Sequence, residues 1–220
     1  MLSNIYSTNI LIIVPTLNSY KILPKLINSI KNQNYKKWRI LFIDGESNKE
    51  HEKWLESCCK KSSNISYVKQ HQKYKGIYGA MNQGIKHLDN SEWVLFWGSD
   101  DWAANDNVFR NIKSLLDNEL KFKVRNLPDL LIFNGVYVKR STDQINRISR
   151  FETSKLCLRK SEYSRDLFFG SIPPHQATLF SSKILREIQG FDDNLKLTAD
   201  LDFFLKIRNK NDLRVLISNQ

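Results

Sequence analysis

The chain has 220 residues, with 34 Lys and Arg against 23 Asp and Glu, a net charge of +11. Hydrophobic residues make up 41% and charged residues 26%, a balance that excludes disorder, collagen-like repeats and a disulfide scaffold and predicts one domain, 1–220, with a sizeable core. The longest aliphatic stretch, 10–14, is far short of the roughly 20 residues of a membrane-spanning helix, so the charge points to an anionic partner met from solution: nucleic acid, lipid headgroups or a phosphorylated substrate.

Residues 1–8 are polar, with no basic start and no small-residue cleavage site, so no signal peptide is expected. Residues 10–15 (ILIIVP) read as a buried strand, and 20–31 as a helix with Ile22, Leu23, Leu26, Ile27 and Ile30 on one face. Strand 39–44 (RILFID), helix 51–61 and strand 65–68 follow. Residues 76–88 place Ile77, Ala80, Met81, Ile85 and Leu88 at helical spacing, and 93–97 (WVLFW) is a fourth strand. Strand-helix alternation of this kind predicts an α/β fold with an open, Rossmann-like, mostly parallel sheet flanked by helices on both faces. Cys58, Cys59 and Cys157 form no CxxC, which leaves a structural zinc site without ligands and predicts free thiols in a reducing cytoplasm.

The second half is less regular. Residues 105–116 read as a helix, 129–139 and 145–151 as strands in a hairpin, and 159–170 is ambiguous. Strand 176–180, a short helix over 183–189 closed by Gly190, helix 198–208 and strand 213–218 complete the chain.

In open α/β sheets ligands bind beyond the carboxyl ends of the strands. The informative segments are therefore Thr16-Leu17-Asn18, Asp44-Gly45-Glu46-Ser47 and Gly98-Ser99-Asp100-Asp101. Adjacent carboxylates repel, so Asp100-Asp101 suits a hard divalent cation shared with a substrate diphosphate, although Asp101 reads equally as a helix cap. Asp44 taken alone is a turn former, and Asn18 reads as the cap of the following helix. Asp200 and Asp202 fall in the first turn of a helix, where they complement its dipole unless one serves as a general base. His175 and Gln176, after two prolines, reach the same region. No GxGxxG and no GxxxxGK[ST] occurs, so neither a dinucleotide site nor a P-loop is supported.

In order, ILIIVPTLN, RILFIDGES, KGIYGAMNQGI, WVLFWGSDD, HQATLF and GFDDNLKLTADLDFFLKI resemble glycosyltransferase family 2, and within it the colanic-acid-type enzymes of bacterial surface polysaccharides. The resemblance implies the GT-A fold, with a nucleotide-sugar-binding half over about 1–104 and a less regular acceptor-binding and catalytic-base half over about 105–220. It implies that Pro15, Thr16 and Asn18 line the nucleotide pocket, that Asp44 meets the base with Ser47 nearby, and that Lys75, Gly76 and Asn82 wall the ribose and sugar diphosphate. Asp100 would face ribose and metal, Asp101 would ligate Mn²⁺ or Mg²⁺ directly, and Asp200 would be the catalytic base, with Asp202, His175 and Gln176 in support. Glu46, Lys49, Tyr74 and Gly79 differ from the family's common residues.

The implied reaction is inverting transfer from a nucleotide-diphosphate sugar, UDP-linked, to a glycan or lipid-linked glycan. It would take place in the cytoplasm at the inner membrane face, with peripheral contact to anionic lipid. A catalytically impaired nucleotide-sugar-binding protein of the same fold is the alternative. Nucleic acid is not an expected partner, because the basic residues are not clustered on one element. A sugar nucleotidyltransferase would need a Gly-rich, basic loop after its first strand, which is missing here.

Overall fold

The computed structural model describes residues 8–121, 127–139 and 142–218; of the start read above for a signal pattern, only Thr8 lies within them. The elements run β1 (Asn9–Thr16), α1 (Leu23–Lys31), β2 (Trp38–Asp44), α2 (Lys49–Lys61), β3 (Ile65–Lys69), α3 (Gly76–Ile85), β4 (Glu92–Phe96) and α4 (Val108–Lys121). The second half supplies β5 (Leu130–Ile132), β6 (Gly135–Val138), β7 (Ile145–Ser149), β8 (Cys157–Arg159) and α5 (Lys160–Phe168). A 3₁₀ turn at His175–Ala177 leads into β9 (Thr178–Ser181), α6 (Ser182–Ile188), α7 (Ala199–Ile207) and β10 (Arg214–Ile217).

Eight strands form one sheet in the order β3-β2-β1-β4-β9-β5-β10-β8. β1 to β4, β5 and β10 run the same way, and β9 and β8 run against them. The sheet is therefore mostly parallel, as expected. Period-two side-chain alternation gives it two cores. Leu11 and Ile13 of β1, with Leu41, Ile43, Val94 and Phe96, face α3, α6 and α7. Ile10, Ile12 and Val14, with Ile40, Phe42, Trp93 and Leu95, face α1, α2 and α4. Both faces of the central strands are dry, which is why these strands read as continuous β-branched runs rather than alternating ones.

Gly84 shows how tightly α3 lies on the sheet: a Cβ there would come within 2.5 Å of Ile13 Cγ2. Only a residue without a side chain allows that approach.

The chain order 1-2-3 on one side of β1, with β4 on the other, creates a switch point between β1 and β4. In open α/β sheets the ligand crevice lies at such a point, beyond the carboxyl edge.

Several boundaries differ from the sequence expectation, each for a local reason. The first helix starts at Leu23 rather than at residue 20, because Ile22 N–H and Leu23 N–H close a turn on the Ser19 carbonyl at 2.9 and 3.2 Å. Pro24 then sits in the first helical turn, where its missing N–H costs nothing. The segment 129–139 divides between two sheets: β5 joins the main sheet, while β6 turns away to pair with β7 in the expected hairpin. The ambiguous stretch 159–170 is a short edge strand and then α5, whose buried Tyr163 stacks on Phe151 at 5.7 Å. Among the described residues no helix is long and apolar enough to cross a membrane. The three cysteines are free.

Candidate functional site at the carboxyl edge of the sheet

β1 and β2 end in register, Thr16 opposite Asp44, and the Gly45 N–H donates to the Thr16 carbonyl at 2.9 Å. Asn18 departs from its expected role. It does not cap the first helix, whose N-cap is Ile22. In a left-handed conformation (φ 51°) it instead ties two loops together, its N–H donating to Ser47 Oγ and its Oδ1 accepting from Asn48 N–H, both at 2.8 Å. Asn48 in turn caps α2 by accepting from His51 N–H at 3.0 Å.

Asp44 is wholly buried. One carboxylate oxygen accepts from Ser47 N–H at 3.3 Å, and the other lies 3.5 Å from His51 Nε2. His51, also wholly buried, stands 3.2 Å from Thr16 Oγ1. Burial lowers the imidazole pKa while the charge of Asp44 opposes it. A polar chain continues from Thr16 Oγ1 to Ser19 Oγ, on to Ser99 Oγ at 3.0 Å, and from there to the Pro15 carbonyl at 3.2 Å. Hydrogen bonds thus stitch the exits of β1, β2 and β4 together around the switch point. His51 and Ser19 escaped the sequence reading, and Ser99 entered it only as part of the segment after β4. The signal for His51 was its spacing of four and seven from Leu55 and Cys58, which puts it on the buried face of α2.

After β4 the chain turns tightly, with Asp101 N–H donating to the Gly98 carbonyl at 3.2 Å and Gly98 N–H donating to Asp101 Oδ2 at 2.6 Å. A Cβ on Gly98 would lie 3.1 Å from Asp100 Oδ1 and 3.3 Å from Asp101 Oδ2. Both carboxylates therefore fold over the space that the glycine leaves. Burial pushes Asp101 up to about 6; the Gly98 N–H works against this and the charge of Asp100 adds to it. Among the described residues no three His, Cys, Asp or Glu side chains converge to hold a metal ion. Asp100 and Asp101 are two adjacent carboxylates, a set that fits Mg²⁺ or Mn²⁺ completed by substrate phosphates and water.

Lys75 and Gly76 are exposed at the N-terminus of α3. Asn82 is committed elsewhere: its amide donates to the Phe191 carbonyl and accepts from Phe191 N–H, both at 2.8 Å, pinning α3 to the loop before α7.

The 3₁₀ turn before β9 and the first turn of α7 carry the remaining candidate residues. His175, at the start of the 3₁₀ turn, is buried and stacks on Phe96 at 5.7 Å with the rings 8° from parallel. Phe191 and Phe204 meet it edge-on at 5.6 and 6.3 Å. Burial holds its imidazole down at about 4, and the nearby charge of Asp200 pulls the other way. The charge of Asp200 also reaches Tyr78, whose phenol is raised by burial first and by that carboxylate second. Tyr78 was missed as well, although its spacing of three and seven from Met81 and Ile85 marks it as core-facing.

Asp202 pairs with Lys206 one turn on at 2.6 Å. Gln176 is exposed and contributes its carbonyl, which accepts from Trp97 Nε1 at 2.9 Å. The structure thus brings His175, Tyr78 and Asp200 together beside Phe96, four residues before Asp100.

A solved structure of Staphylococcus aureus TarS residues 1–349 with UDP-GlcNAc superposes with a TM-score of 0.70 at 19% identity, covering 97% of this chain and 59% of that one. The mannosyltransferase PcManGT of Pyrobaculum calidifontis, solved with GDP-Man and Mn²⁺, gives a TM-score of 0.63 at 14% identity, with 98% and 56% coverage. An uncharacterized glycosyltransferase of Rickettsia felis is 25% identical over 212 residues, which is 95% of this chain. The chain spans about a third of that relative's length, 32%. The profile of the family described as glycosyl transferase family 2 matches residues 11–188. With a six-strand parallel array and the acidic turn after β4 already in place, the match completes the assignment: the chain belongs to glycosyl transferase family 2 and carries its GT-A fold.

Proposed function

We propose that the protein transfers a sugar from a nucleotide-diphosphate donor, a UDP-sugar, to a hydroxyl of a glycan or lipid-linked glycan in the building of bacterial surface polysaccharide or lipooligosaccharide. The transfer inverts the anomeric configuration and depends on a divalent metal. The observation that carries this reading is the acidic turn after β4, where Asp100 and Asp101 fold over Gly98 at the carboxyl end of the sheet; Asp200, whose charge acts on the His175 ring stacked on Phe96, is read as the base on the acceptor side.

The chemistry is a single displacement. The acceptor hydroxyl oxygen bonds to the anomeric carbon as the bond from that carbon to the diphosphate oxygen breaks, and the hydroxyl proton passes to Asp200. Leu201 N–H donates to Asp200 Oδ1 at 2.9 Å and orients the carboxylate, the Tyr78 phenol lies within its electrostatic reach, and His175, held neutral by burial, does not compete for the proton. Asp101 and Asp100 would hold a Mn²⁺ or Mg²⁺ ion, which would supply Lewis-acid neutralisation of the leaving diphosphate. The residues at and just beyond the ends of β1 and β2, Pro15, Thr16, Asn18, Asp44 and Ser47, form the floor of the nucleoside site, with Lys75 and Gly76 at its side.

The halves 1–104 and 105–220 divide the work between donor and acceptor within one domain. A protein of this kind works on the cytoplasmic side, in peripheral contact with anionic lipid. The departures Glu46 and Lys49 favour a second reading, nucleotide-sugar binding without transfer. Support for the first comes from the UDP-GlcNAc and GDP-Man complexes of the structural neighbours and from the Mn²⁺ of one of them.

The test is UDP release from a panel of UDP-sugars by Asp200→Asn and the wild type. Loss of a general base lowers turnover by about 10²–10⁴-fold, with UDP affinity unchanged. Wild-type turnover in Asp200→Asn would refute the assignment of the base. UDP-sugar binding with no turnover in either protein would favour the binding-only reading.

A further inference from the structure

Among the described residues, the three most exposed large apolar side chains are Leu197, Phe168 and Phe169, at 87%, 82% and 78% of their full surface. Large apolar groups held in water at neighbouring positions mark a contact surface. Phe168 ends α5 and Phe169 is its C-cap, and their rings meet edge to face at 5.7 Å as one aromatic knob. Gly170 (φ 88°) turns the chain, Ser171 N–H donates back to the Asp166 carbonyl at 3.0 Å, and Ile172 stays exposed. The stiff Pro173-Pro174 pair then leads to His175.

Phe169 is six residues from His175, and Leu197 is three from Asp200. At a maximum reach of about 3.4 Å per residue, the knob lies within roughly 20 Å of His175 and Leu197 within roughly 10 Å of Asp200. The charge of Asp200 acts on His175, so the chain tethers both apolar segments to the two residues read as the acceptor side.

The stretch leading into the knob is basic. Residues 155–165 carry Lys155, Arg159, Lys160 and Arg165 against one acid, Glu162, and the next residue is Asp166. Glu162 pairs with Lys155 and Asp166 with Arg165, which leaves Arg159 and Lys160 as the excess positive charge of this stretch. The whole chain stands at +11. An aromatic knob in a basic field has the composition of an interfacial membrane contact.

We infer that Phe168, Phe169, Ile172 and Leu197 dock on an anionic phospholipid bilayer, so that an acceptor carried in the bilayer meets Asp200 at the membrane surface; the purpose of this contact rests on the proposed transfer reaction. The occupant is the bilayer rather than a second copy of the chain, because like-charged basic surfaces repel one another and attract anionic headgroups.

Co-sedimentation tests it, using vesicles of phosphatidylcholine alone and of phosphatidylcholine mixed with phosphatidylglycerol. The wild-type chain pellets with the mixed vesicles and is released by salt. The Phe168→Ser/Phe169→Ser protein, which loses side chains already in water, partitions at least about tenfold less. Its UDP-induced thermal shift stays unchanged, and Leu197→Ser gives an independent second variant. Three results would overturn the inference: no pelleting of the wild type with mixed vesicles, equal pelleting of the double variant, or a wild-type dimer that the double variant dissociates. Vesicle binding by a chain that takes up no nucleotide would sink the transfer reading and leave the docking surface standing.

Discussion

The buried imidazole of His175 makes a measurable demand on stability. It is caged by Phe96, Phe180, Phe191 and Phe204, with Asp200 the charged group facing it. Its folded-state pKa, about 4, lies below the roughly 6.5 of an unfolded chain. Above pH 6.5 the ring is neutral in both states and contributes no pH dependence. As pH falls below that value the unfolded state takes up a proton that the folded state refuses, and stability drops by about 1.4 kcal/mol per pH unit until the folded pKa is reached. The loss attributable to His175 is about 2.5 kcal/mol by pH 4.5. Asp101 acts in the opposite sense. Its folded pKa, about 6, exceeds the unfolded value, so the folded state gains a proton between about pH 6 and 4 and recovers stability. The wild-type curve should therefore be shallow, and the contribution of His175 appears only by difference. Urea unfolding of the wild type and of His175→Phe, at pH 7.5 and 4.5 with chelator present, supplies that difference. The variant should lose about 2.5 kcal/mol less than the wild type between the two pH values. Parallel pH dependence in the two proteins would refute the buried neutral imidazole.

Further outcomes follow from the packing. Gly84→Ala should cost about 1–3 kcal/mol through overpacking on Ile13, and a double-mutant cycle with Ile13→Ala should return a favourable coupling in chemical denaturation; additivity would contradict the contact. Asn82→Ala removes both bonds to Phe191 and should destabilise by about 1–3 kcal/mol. If Asn82 serves only to pin that loop, UDP affinity measured by calorimetry stays within about twofold, whereas a loss of tenfold or about 1.4 kcal/mol would return it to the nucleotide wall.

The first half of the fold was legible because its strands are dry on both faces. A strand such as ILIIVP reads as buried without any knowledge of its neighbours, and turn residues follow each run. The Asp-Asp turn after β4 was visible for the same reason, since a parallel strand announces where its carboxyl end lies. The hydrogen-bond network beneath the switch point was less visible. Thr16, Ser19, Ser99 and His51 come from two separate strand exits and a helix, and only the sheet order brings them together. Asn18 illustrates the difficulty: a residue with cap chemistry sat ahead of a helix, yet its partners are Ser47 and Asn48 across the crevice.

The acceptor half was the hardest to read. Its strands are three to five residues long, and two of them run against the rest of the main sheet. Local periodicity could not say that residues 129–139 serve two sheets, nor that His175 would lie against Phe96.

The central claim is that the crevice between β1 and β4 binds a nucleotide diphosphate through a metal held at Asp101. A thermal-shift measurement with UDP, with and without Mn²⁺, tests it most directly in the wild type, Asp101→Ala and Asp200→Asn. At about a hundred times its dissociation constant UDP should stabilise the wild type by roughly 2.7 kcal/mol. That stabilisation should require the metal, vanish in Asp101→Ala and persist in Asp200→Asn. An equal shift in Asp101→Ala, or no shift with UDP and Mn²⁺ in the wild type, would contradict the account.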